Sequence, residues 1–72
     1  MKHYKLFVQA KNGFGETVWS ETQGGPVTED NAAFVVIGFY PEDDMEVGES
    51  IRREIKTRWS KTPQWFRIQR VA

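Results

Sequence analysis

The chain opens on period-two alternation. From His3 to Ala10, the residues Tyr4, Leu6, Val8 and Ala10 take one side and Lys5, Phe7 and Gln9 the other, the geometry of a half-buried strand. Lys11-Asn12-Gly13-Phe14-Gly15 follows, and Glu16 to Glu21 reads as the returning strand. Asn-Gly between two alternating segments predicts a two-residue hairpin loop, because a type I′ turn needs positive φ at both central residues. That register sets Leu6 opposite Trp19 and Val8 opposite Thr17, and it puts Trp19 on the core face with Tyr4, Leu6, Val8 and Ala10. The alternative places Gly15 in a left-handed bulge. Parity then flips, so that Trp19 joins Phe7 and Val18 joins Val8. The two-residue loop is the preferred reading.

Thr22-Gln23-Gly24-Gly25-Pro26 breaks the pattern, and Val27 to Asn31 is polar and loop-like. Ala32 to Tyr40 is the most apolar run of the chain. Its β-branched and aromatic content, its Gly38 and its ending at Pro41 predict a central strand buried on both faces. Pro41 to Val47 forms an acidic loop. A helix is predicted from about Gly48 to Ser60, where Val47, Ile51, Ile55 and Trp59 recur at i, i+4 and i+8 as a narrow apolar stripe. Lys61-Thr62-Pro63 ends it. Gln64 to Val71 alternates again, with Phe66 and Ile68 on one face and Trp65, Arg67, Gln69 and Val71 on the other. The expected fold is α+β: a small two-layer domain in β-β-β-α-β order, with a mostly antiparallel sheet and one helix packed on one face through Ile51, Ile55 and Trp59. The opposite sheet face is left open, lined by Phe7, Trp65, Arg67 and, in the bulged register, Trp19.

Length and composition limit what this fold can be. Seventy-two residues make a single domain, and a chain of this size buries only about 60% of its unfolded surface. The 39% hydrophobic and 14% aromatic content separates it from disordered tails. With no cysteine, disulfides and thiolate metal sites are excluded, and a reducing cytoplasm suits the chain. Much of the burial falls to three Trp, five Phe and two Tyr. A homodimer is one way for so small a domain to supplement its core. No apolar run approaches the roughly 20 residues of a membrane span. Met1 to Lys5 leads into an alternating segment and not an apolar h-region, so neither a signal peptide nor a membrane partner is expected.

Net charge is zero, but its sign is arranged in blocks. Residues 1–11 carry three Lys and no acid, residues 12–49 carry nine acids and no Lys or Arg, and residues 50–72 hold seven Lys or Arg against Glu54. Such blocks give either a polar molecule able to steer a partner or termini that fold against the middle and neutralise it.

Catalytic chemistry has poor material. His3 is the only histidine and sits at the terminus, Ser20, Ser50 and Ser60 have no base and orienter beside them, and the glycines of residues 12–15 lack the Lys-Ser/Thr ending of a phosphate loop. No catalytic residue and no cofactor is expected. Glu42, Asp43, Asp44 and Glu46 offer hard oxygens. Their spacing is not that of an EF-hand, and a strand over residues 32–40 would hold Glu29-Asp30 about 30 Å away. A solvated loop that caps the following helix is the simpler reading, and no metal is expected.

Two binding classes are left. For nucleic acid, Arg52, Arg53 and Lys56 would form a basic row on the predicted helix, and Trp65 with Arg67 and Arg70 a basic stacking face; the zero net charge counts against it. For protein, Trp65 and Arg67 alternate on one strand face, and Trp and Arg dominate interface hot spots. The expectation is a non-enzymatic binding protein acting through a protein–protein interface. Small phage- or plasmid-type inhibitors of a host protein assembly, anti-CRISPR proteins among them, share this size and style, an analogy with no motif behind it.

Overall fold

In the computed structural model, which describes residues 1–72, the two ends of the chain form the centre of one sheet. Strand β1 (Tyr4–Lys11) is flanked by β2 (Thr17–Glu21) and β4 (Gln64–Arg70), and β3 (Ser50–Ile55) pairs with the far side of β4. The order across the sheet is β2-β1-β4-β3, antiparallel throughout. A single short helix, α1 (Ala32–Ile37), lies between β2 and β3 in sequence. The fold is thus a small α+β domain, as expected, but two elements have exchanged identity and the order is β-β-α-β-β.

The apolar run that reads as a central strand is the helix. Asn31 caps it, its Oδ1 accepting from the Ala33 amide at 2.9 Å. Gly38 ends it at φ 69°, where its amide reaches the Phe34 carbonyl and the Phe39 amide donates to the same oxygen. This is the six-to-one closure of a Schellman motif, whose flanking apolar pair is Phe34 with Phe39. Both side chains are buried, and they meet Tyr4, Leu6, Met45, Phe66 and Ile68 in one core cluster.

The segment that reads as a helix is β3 followed by the β3–β4 turn. Ile51 and Ile55 stand opposite Ile68 and Gln64 and pack against the core. Between them on the same face comes Arg53, opposite Phe66, with its guanidinium 5.3 Å from the Phe39 ring centre. Its stem thus covers apolar surface while its charge stays in water. Trp59, expected in the core, is exposed, as is Val47.

The β1–β2 hairpin takes the bulged register. Gly15 has φ 78°, Gly13 does not have positive φ, and Asn12 Oδ1 accepts from the amides of Phe14 and Glu16. This is a type I turn closed by a left-handed glycine. Gln9 therefore faces Trp19 and Ala10 faces Val18, so Trp19 leaves the core face.

Tyr4 is fully buried at the start of β1, and its hydroxyl makes no hydrogen bond within the chain. Burial pushes the phenol above its ordinary value of 10.0; Glu29 and Asp43 add to the shift and Arg70 opposes it. A raised folded-state value means that the unfolded chain loses this proton first. The contribution to stability is therefore complete below pH 10.0 and is lost as pH rises through the folded-state value. Tyr4→Phe removes an unpaired buried hydroxyl, so stability at neutral pH should hold or rise by up to about 1 kcal/mol. In thermal melts above pH 10.0, the variant should outlast the wild type by a margin that widens with pH.

Candidate functional site

Alternation along four paired strands divides the sheet into two faces. The helix covers the face of Tyr4, Leu6, Phe66 and Ile68. Nothing covers the other. One row of cross-strand partners on it runs Glu21–Phe7–Arg67–Arg52 across all four strands. Beside it, Trp19 pairs with Gln9 on one side of the sheet and Trp65 with Glu54 on the other.

Arg67 organises this surface. Its guanidinium carbon lies 4.5 Å from the Phe7 ring centre and 5.1 Å from that of Trp19, within cation–π range of both. The side chain reaches from β4 across Phe7 on β1 to Trp19 on β2. Its Nε is buried and makes no hydrogen bond within the chain. Arg52, its direct cross-strand partner, is exposed. Two like charges directly opposite on a sheet repel, and stacking over the aromatics draws the Arg67 charge toward β2. The one ion pair of the chain is Lys5 with Glu21, at 3.8 Å on this face. Neither Arg52 nor Arg67 has a carboxylate partner.

The charge blocks do not sort by layer: Glu21 of the acidic block stands on the open face, and Arg53 and Arg70 of the basic block on the helix-bearing one. Met45, in the middle of the acidic loop, is buried in the core cluster under the helix-bearing face. The Arg70 Nη1 donates to its carbonyl at 2.6 Å. Glu29 and Asp43 act on Tyr4 from that same side. The Met45 side chain thus holds the acidic loop to the helix-bearing side of the sheet. The termini do meet the middle of the chain, but through carbonyls: the Lys2 ammonium donates to the Asp43 backbone oxygen.

Of the five residues singled out from sequence, Trp65, Arg67 and Arg52 share the open face. Arg53 and Lys56 do not join them, because no helix exists there to align the three. Arg53 lies on the opposite face over Phe39. Lys56 folds into the β3–β4 turn, donating to the carbonyls of Thr57 and Ser60. Gln9 is the residue of this surface that the sequence reading passed over, although its alternation with Phe7 already placed it there.

The acidic loop brings together no group of three side chains able to hold a metal ion. The distance argument that separated Glu29-Asp30 from it falls with the strand on which it rested. A concavity of about 310 Å³ runs between α1 and the sheet and is lined by Leu6, Val8, Val36, Ile37, Trp59 and Phe66 among others. No helix is long and apolar enough to cross a membrane. Set against protein-family models, curated proteins and solved structures, the chain matches none.

Proposed function

We propose that the protein is a non-enzymatic binding protein that acts by laying its open sheet face against another protein. The observation that carries this reading is the uncovered four-strand surface on which Phe7, Trp19, Trp65, Arg67 and Arg52 converge. Phe7, Trp19 and Arg67, stacked together before a partner arrives, lose little entropy on binding, and aromatic and arginine side chains are the usual anchors of interfaces. Cytoplasmic action as a small inhibitor of a host assembly, of the anti-CRISPR kind, fits this way of working by analogy alone.

A nucleic-acid reading has one observation in its favour: Met45 holds the acidic loop to the helix-bearing side of the sheet, behind the open face. Against it, the open face carries Lys5, Arg52 and Arg67 beside Glu21 and Glu54. So few uncompensated cations give a small counterion-release contribution.

Affinity capture from the native host, with and without nuclease, tests the proposal. A protein retained by the wild type should survive nuclease, and either Trp65→Ala or Arg67→Ala should weaken its binding by about 2 kcal/mol or more. Retention that vanishes with nuclease, or micromolar binding of DNA or RNA at near-physiological salt, would overturn it.

A further inference from the structure

We propose that the cleft between Trp19 and Trp65 receives an aspartate or glutamate side chain from an acidic peptide segment of the partner. This rests on the interface reading above and names the chemistry the interface recognises.

The cleft measures about 220 Å³ and is lined by one residue from each strand: Trp19, Gln9, Trp65 and Arg52. That is below the roughly 300–1,000 Å³ of sites for drug-sized ligands and suits a single side chain better than a nucleotide. Two indoles make its walls, and they accept the methylene groups of an acidic side chain. Gln9 supplies amide donors at the floor.

Arg52 sets the charge preference. It is exposed, it makes no ion pair, and its neighbour across the strand is a second arginine. The sheet holds these like charges side by side, and neither forms an ion pair with Glu21 or Glu54 on the same face, so an incoming anion relieves repulsion as well as forming new hydrogen bonds. A guanidinium presents paired N–H donors that match the two oxygens of a carboxylate. Glu54, beside Trp65 on the same face, disfavours a doubly charged phosphate more than a singly charged carboxylate.

The test is a titration of the full chain, followed by the Trp19 and Trp65 indole and Arg52 side-chain N–H resonances. The probes are hexaglutamate and hexaglutamine with blocked ends, and an oligothymidylate. Hexaglutamate should move all three sets of signals at millimolar concentration, and hexaglutamine should not. Arg52→Gln should weaken hexaglutamate about tenfold, the scale of a lost charge-assisted hydrogen bond. Because Arg52 is exposed, that variant should keep the wild-type fold. Arg52→Lys, which retains charge without the fork, should fall between. Signals unmoved by hexaglutamate, equal shifts with hexaglutamine, or tighter binding of oligothymidylate would each overturn the proposal. If a protein is captured through Trp65 while hexaglutamate moves nothing, the carboxylate chemistry falls and the interface stands.

Discussion

Replacing Phe34 with alanine should remove about 3–5 kcal/mol of stability in urea denaturation. Phe34 is fully buried and is the only buried residue of α1. It belongs to one core cluster with Phe39 at the helix end and the sheet residues Tyr4, Leu6, Phe66 and Ile68. A helix of six residues cannot persist on its own, since nucleation costs more than so few hydrogen bonds return. Docking through Phe34 is therefore what keeps it helical. Only 8 of 72 residues are buried, so a loss of this size takes a large share of the roughly 5–15 kcal/mol typical of a domain. Trp59→Ala is the control. That side chain is 62% exposed, and its loss should cost about 0.5 kcal/mol, as at most surface positions. If the segment from Gly48 to Ser60 were the helix and Trp59 its core contact, Trp59→Ala would carry the large loss instead.

The exchanged elements trace to a spacing that does not discriminate. Residues four apart share a face in a helix, and they also share a face in a strand, because four is twice the strand period. Ile51 and Ile55 satisfy both patterns. What separates them is the intervening Arg53, which a strand places on the same face. A strand tolerates it there because its stem packs over Phe39, a contact that no local pattern encodes. Gly38 misled in the opposite direction. A helix interior disfavours glycine, yet Gly38 and Asn31, seven positions earlier, are the two caps of a short one. The apolar run between those caps is less buried than a central strand would be: Val35 and Val36 are exposed.

The open face was more legible than the helix. Alternation alone placed Phe7, Trp65 and Arg67 together, and they meet as expected. Trp19 depended on loop length, and Asn12-Gly13 supports either turn. Gly15 decided the matter, because its left-handed conformation adds the residue that inverts the face of every β2 side chain. The pairing of Arg52 with Arg67 was out of reach, since it requires β3 to be a strand and to lie beside β4. The strand order, with both chain ends at the centre, is set by long-range pairing that no local pattern encodes.

Met45→Ala should cost about 2–5 kcal/mol, the range for removing a buried methionine. Read from sequence, this position belongs to a solvated acidic loop, where a substitution would change stability by about 0.5 kcal/mol at most. In the structure Met45 is 2% exposed and packs in the core cluster, although acids flank it at Glu42, Asp43, Asp44 and Glu46. Its backbone oxygen holds the Arg70 guanidinium, and just beyond it the Gly48 amide donates to the Arg70 carbonyl at 2.8 Å while the Arg70 amide returns to Glu49. The side chain thus anchors the loop where β3 begins its pairing with β4. Alanine should leave a void there and loosen those contacts, seen as faster amide exchange at Gly48 and Arg70 than at Phe66 or Ile68 in the middle of β4. Met45→Leu, which keeps the volume, should cost less than about 1.5 kcal/mol. Met45 stands under the helix-bearing face. Binding through Trp65 and Arg67 should therefore survive Met45→Ala at temperatures where the variant is folded, which separates the residue that secures the acidic loop from those that meet the partner.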